Sequence, residues 1–165
     1  MRLERGLSWG LPLLTAAVYG GMLWRGAALG EMAGGLTPFD LRLSGYSLAE
    51  ARGFLRALTP EGFALYAHIA RRWDAVFPAL LGLTFLWWMR PFSGAFGMVC
   101  VLAAMSYVAL DWGENAAVLA MLDAGPDWVS LAEVQRASIF TQCKFLAFVL
   151  ALVLALRQSW RRMKA

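Results

Sequence analysis

Four long apolar stretches alternate along the chain with short charged or turn-forming segments. The first runs from Leu7 to Trp24 behind the basic start MRLER. Its eighteen residues exceed a secretory apolar core of about 7–15 residues. The run ends in Trp24 and Arg25, the pattern of a membrane interface. We read it as a retained transmembrane helix, about residues 7–26, rather than a cleaved signal.

The second stretch begins at TPEGF. Thr59 can cap a helix whose first residue is Pro60, where the missing N–H costs nothing. This helix is predicted to run to Met89, before Pro91, with its membrane part over about 63–89. Ala75 to Met89 is apolar throughout but too short to cross a bilayer core that needs about 20 residues, so part of the segment before Asp74 must enter the membrane as well. The third stretch starts near Phe92 and spans about 92–118, with DAGPDW as a stop beyond Leu122. The fourth opens on SLAE, where Ser130 and Glu133 form a capping box, and spans about 131–156. The expected fold is therefore all-α: a single membrane domain, residues 1–165, forming a four-helix bundle.

Between the first two spans, SLAEARGFLRAL repeats the capping-box pattern at Ser47 and Glu50. Leu48, Leu55 and Leu58 fall near one helical face, Phe54 lies at its edge, and Arg52 and Arg56 lie on the flank. A short amphipathic helix is expected over about 47–58, on the outer surface or over the bundle mouth. It serves either as a packed stabilising segment or as a lid.

Composition agrees with a membrane protein. The 165 residues are 60% apolar and 16% charged, against about 45–50% and about 25% in soluble domains. Lys and Arg outnumber Asp and Glu by 15 to 11, but the excess sits at the ends of apolar segments, which reads as topology and not as a nucleic-acid surface. Arg2, Arg5, Arg90, Arg157, Arg161, Arg162 and Lys164 share one side of a four-span arrangement. The short loop region from Asp111 to Gln135 has five acids and no Lys or Arg. Both termini are thus expected in the cytoplasm, with the protein in the inner membrane as a multi-pass chain. Arg25, Arg42, Arg52 and Arg56 in the long connection weaken this bias without reversing it.

Against that background, DWGEN at 111–115 stands out, because it follows seventeen residues, Gly94 to Leu110, without a charge. Asp111, Glu114 and Asn115 share a helical face, with Tyr107 one turn below. Lys144 interrupts the fourth span, with Thr141 one turn before it, and Asp74 interrupts the second. At 1.5 Å per residue, Asp74 lies roughly 24 Å above Arg90, Lys144 roughly 20 Å above Arg157 and Asp111 roughly 30 Å above Arg90. Three helices thus bring ionisable groups to the outer half of the membrane. An isolated charge at the centre of a span costs roughly 2.5–3.5 kcal/mol, so such groups face the bundle and pair. Asp111 or Asp74 is the natural counter-ion of Lys144. Pro78 cannot donate to the carbonyl of Asp74, which leaves an extra acceptor beside that carboxylate. Together these residues are expected to wall a polar pocket. The structural alternative makes DWGEN a solvated helix end and Asp74–Lys144 a single ion pair.

Other chemistry is poorly represented. His68 is the only histidine, which excludes a bis-histidine haem and a His-rich zinc site. Cys100 and Cys143 stand alone in apolar segments and read as small buried residues. Trp24, Trp87, Trp88, Trp112, Trp128 and Trp160 read as an interfacial aromatic belt. Gly20, Gly21, Gly94 and Gly97 could allow close helix contact, without GxxxG spacing. No nucleotide-binding, GxSxG or HExxH pattern occurs, and no metal or cofactor is expected.

The segment PFDLRLSGYSLAEARGFLRAL, the following Y…D…FP, then D-x-x-E-N and T-x-x-K together resemble a set of small, uncharacterised bacterial four-span membrane proteins. The resemblance covers roughly residues 38–150. It implies four spans and implies that Asp74, Asp111, Glu114, Asn115, Thr141 and Lys144 belong together, but it supplies no reaction. Sterol isomerases and sigma-2-type receptors of the EXPERA group are similar in architecture alone, with four spans and acids lining a cavity.

The expected function is a non-enzymatic bundle that binds a lipid or other hydrophobic small molecule, or an accessory subunit of a larger membrane complex. Its partners would be membrane lipids, such a ligand, and a second copy or a larger assembly; nucleic acid is not among them. The alternative is a lipid-modifying membrane enzyme with Asp111 or Glu114 as general acid/base and Lys144 stabilising negative charge. A proton- or ion-coupled transporter is a third reading, which the lack of an internal repeat disfavours.

Overall fold

The computed structural model describes residues 2–164, with side chains described from Ser8 onward except at Met163. The side chains of Arg2 and Arg5 lie outside the described residues. The chain folds as α1 (Arg2–Met32), a 3-10 turn (Phe39–Leu41), α2 (Leu48–Ala57), α3 (Pro60–His68), a π-turn (Ile69–Trp73), α4 (Asp74–Met89), α5 (Gly94–Trp128) and α6 (Leu131–Lys164). No strand occurs among the described residues.

Local chemistry places the helix starts. Ser47 and Glu50 form a reciprocal capping box at α2. Thr59 accepts from the Gly62 N–H at 3.1 Å, with Pro60 in the first turn of α3. Ser130 and Glu133 form a second box at α6. Each box satisfies main-chain donors that the first helical turn cannot pair internally. The predicted long second helix exists as α3 and α4 joined through the π-turn. α5 continues well past residue 118 and loses helical geometry only at Gly125, whose φ of 72° is left-handed, with Pro126 following. DWGEN is therefore mid-helix and is not a helix end.

α5 and α6 form the most extensively packed pair, and α4 packs against both. Small residues set the closest approaches. A Cβ on Gly113 would come within 2.7 Å of the Phe140 ring, and one on Gly82 within 2.4 Å of Val108. Of the glycines singled out by sequence, Gly21 meets the Trp73 ring and Gly97 meets the Phe92 backbone, whereas Gly20 and Gly94 have nothing within 4 Å.

The apolar core is split in two. One cluster gathers Leu29, Phe39, Phe54, Tyr66, Met121 and Val129, and uses α2 as a wall. Phe54 is fully buried there, at the centre of the α2 contact and not at its edge. Arg52 donates to the Val129 carbonyl at 3.1 Å, so α2 is tied down to the bundle. The second cluster gathers Phe85, Met89, Cys100, Tyr107 and Ala151. Between the two along α4, α5 and α6 lie Asp74, Asp111 to Asn115, and Thr141 to Lys144. The polar residues form a layer inside the bundle.

Among the described residues, two helices, α5 and α6, are long and apolar enough to cross a membrane. α4 is only 16 residues long.

Candidate functional site

The polar layer is built by α5 facing α6. Lys144 reaches across from α6 and pairs with both Asp111, at 3.3 Å, and Glu114. The Thr141 hydroxyl, one turn before Lys144, lies within hydrogen-bond distance of both Glu114 and the Ala137 carbonyl and has one proton to donate to either. Glu114 is completely buried and Lys144 only 8% exposed. A lysine shared by two carboxylates compensates its own burial better than a single pair would, since each ion must replace lost hydration with close opposite charge.

Asn115 completes the arrangement on the other side. Its amide donates to the Asp74 carbonyl at 2.9 Å and to the Asp111 carboxylate at 3.4 Å. The carbonyl left free by Pro78 is thereby satisfied from the neighbouring helix. One residue along, the Trp112 indole donates to the Ala75 carbonyl at 3.0 Å, so this half-exposed tryptophan is also a joint between α5 and α4.

The structure thus brings Asp111, Glu114, Asn115, Thr141 and Lys144 into one bonded cluster. Asp74 joins it through its main chain only. The sequence offered Asp74 or Asp111 as the counter-ion of Lys144; the partners are Asp111 and Glu114, because α5 packs along α6 and presents both acids to it. The Asp74 carboxylate has no hydrogen bond or ion pair among the described residues, although the residue is only 6% exposed. Tyr107 is likewise buried, packs edge-on against Phe85, and its hydroxyl is unpartnered among the described residues.

Both residues line a cavity of about 450 Å³ that is open to the outside. Asp74, Asp111, Lys144 and Tyr107 line one part of it. The remaining wall is mostly apolar, with Tyr19, Phe77, Leu81, Phe145, Phe148 and Trp88 among its lining residues. α1 forms one side and α6 the other, while α1 takes its packing chiefly from α4, α3 and the π-turn. A hydroxyl contact of 3.0 Å between Thr15 and Thr84 joins α1 to α4 beside the cavity.

Asp40 and Leu41 of the 3-10 turn also line the cavity. Asp40 accepts from the Tyr66 hydroxyl at 2.8 Å, and the same hydroxyl accepts from the Phe39 N–H at 3.0 Å. Ser138 accepts from the Tyr46 N–H and Gln142 donates to the Ser44 carbonyl, which ties this connection to α6. Sequence reasoning missed Asp40. In TPFDL an aspartate looks like an ordinary turn former, and no periodicity points it towards a distant helix.

No group of three or more His, Cys, Asp or Glu side chains among the described residues is arranged to hold a metal ion. The chain matches no protein-family model, no curated protein and no solved structure.

Proposed function

We propose that the chain is a four-span membrane protein that binds a lipid or other hydrophobic small molecule in the cavity between α1 and α6. The spans would be α1, the continuous α3–α4 run, α5 and α6. Both termini would face the cytoplasm, in a bacterial inner membrane. One observation carries the binding reading: a cavity with mostly apolar walls meets a buried layer of Asp74, Asp111 and Lys144. Ligand pockets combine these two features, apolar walls for affinity and a few placed polar groups for orientation. The span assignment is supported by apolar side chains exposed on all four helices, Leu13 and Leu23 on α1, Leu83 on α4, Met98 on α5 and Leu146 on α6. A helix apolar on its outer face suits lipid contact better than water.

The test is native mass spectrometry of the full chain purified in mild detergent, wild type beside Ala16→Trp, which places a large side chain on the cavity wall. A defined molecule retained by the wild type and lost from an equally stable variant supports ligand binding. An empty wild type from several lipid backgrounds overturns it.

A second reading, a lipid-modifying enzyme, draws on the convergence of Asp111, Glu114 and Lys144 beside the cavity. It requires that Asp111→Asn or Glu114→Gln abolish turnover of the bound lipid while binding persists. Binding without any turnover by the wild type removes this reading.

A further inference from the structure

Resting on the binding reading above, we propose that the cavity selects amphiphiles with a primary ammonium head, held by the Asp74 carboxylate and the Tyr107 hydroxyl, with Asp40 alongside. The acids of the polar layer are not equivalent. Asp111 and Glu114 are occupied, because Lys144 lies against both, the Thr141 hydroxyl lies within hydrogen-bond distance of Glu114, and Asn115 donates to Asp111. Asp74 is different. It lines the cavity, is 6% exposed, and no described group donates to its carboxylate. A buried carboxylate without a hydrogen-bond donor or a close ion pair is a costly arrangement. Lys144 is already shared between two acids and has no third carboxylate within ion-pair distance.

The chemistry of the missing partner follows from what surrounds it. Among the described residues that line the cavity, Asp40, Asp74 and Asp111 stand against one cation, Lys144, so a head with positive charge is favoured and an anionic head is repelled. The unpartnered atoms are the Asp74 carboxylate and the Asp40 oxygen not used by Tyr66, both acceptors, and the Tyr107 hydroxyl, which can accept as well as donate. A primary ammonium carries three donors and one charge, and fits this set. An alcohol brings one donor and no charge. The tail has a place as well. Asp74 and Trp88 both line the cavity and are fourteen residues apart on one helix, roughly 21 Å at 1.5 Å per residue.

The experiment uses probes with one chain length and three heads: dodecylamine, dodecanol and dodecanoate. Each is titrated at neutral pH into the full chain in mild nonionic detergent, with binding read by native mass spectrometry and folding by thermal melts. Wild type is compared with Asp74→Asn and Tyr107→Phe, and Ala16→Trp serves as a blocked cavity. The expected result is one dodecylamine per chain, bound about tenfold or more tightly than dodecanol through a charge-assisted contact. Asp74→Asn should bring the amine to the level of the alcohol and leave the alcohol unchanged. Equal binding of all three probes, blocked by Ala16→Trp, overturns the head-group preference and leaves the ligand cavity standing. A preference that survives in Asp74→Asn, or favours dodecanoate, also overturns it. Binding of no probe overturns the ammonium preference, and the binding reading falls with it only if the wild type also purifies empty from several lipid backgrounds. The wild-type comparison decides the matter even if a variant fails to fold.

Discussion

The Asn115 amide donates to the main-chain carbonyl of Asp74 at 2.9 Å, across from α5 to α4. That carbonyl lies four residues before Pro78, which has no N–H to offer it. Removing the donor should therefore cost more than a surface hydrogen bond. We expect Asn115→Ala to destabilise the protein by about 1–3 kcal/mol, the range for a buried group left unpaired. Pro78→Ala supplies an N–H in place, so Asn115→Ala should cost less in a Pro78→Ala background. Denaturant unfolding of the four proteins of this cycle measures the coupling; strict additivity would show that the two residues act independently.

Lys144 holds two buried acids in place at once. Lys144→Met is expected to destabilise by about 3–5 kcal/mol, because Asp111 and Glu114 would remain without a cation. The triple variant Lys144→Met, Asp111→Asn, Glu114→Gln should recover much of that loss. Unfolding midpoints of the single and triple variants provide the check, and a Lys144→Met protein as stable as wild type would contradict the ion-pair account.

Helix approach at Gly82 leaves no room for a methyl group against Val108. Gly82→Ala should destabilise by about 1–3 kcal/mol through overpacking, despite alanine's better helix propensity. Val108→Ala should relieve the clash. A thermal-melt comparison of both single variants and the double variant tests this, and a stabilised Gly82→Ala would refute the close contact.

The Glu50 carboxylate accepts from the Ser47 hydroxyl at 2.6 Å and from the Ser47 N–H at 2.7 Å, and these bonds hold its pKa below the ordinary value. A carboxyl depressed in the folded state contributes fully above its unfolded pKa, about 4.3 for Glu. The contribution disappears as pH falls through the lower native value. Wild type should therefore lose more stability between about pH 6 and about pH 3 than Glu50→Gln, with the difference arising at and below the ordinary Glu range. Identical pH profiles would show that the capping box does not titrate as described.

In the proposed four-span arrangement, Ser44 and the far end of α6 would face opposite sides of the membrane. A cysteine at Ser44 should be modified by an impermeant thiol reagent from the outside of intact cells, and one at Ser159 only after permeabilisation, in a Cys100→Ala, Cys143→Ala background. Modification of both from the same side would overturn the topology.

What could be read along the chain was whatever depends on near neighbours. Ser47 with Glu50, Thr59 with Pro60, and Ser130 with Glu133 act over three residues or fewer, so their helix starts follow from local hydrogen bonding alone. The shared face of Asp111, Glu114 and Asn115 follows from helical periodicity, and the acceptor freed by Pro78 from the missing N–H. Tertiary packing decided the rest. Whether Lys144 met Asp74 or Asp111, and that Glu114 joined it, depended on how α4, α5 and α6 pack together, with α5 and α6 brought close where Gly113 meets the Phe140 ring. Asp40 reached the cavity only because Tyr66 and Tyr46 tie a turn-rich connection onto the bundle. The unpartnered carboxylate of Asp74 has no signature along the chain, since a side chain lacks a partner only after every helix has taken its place.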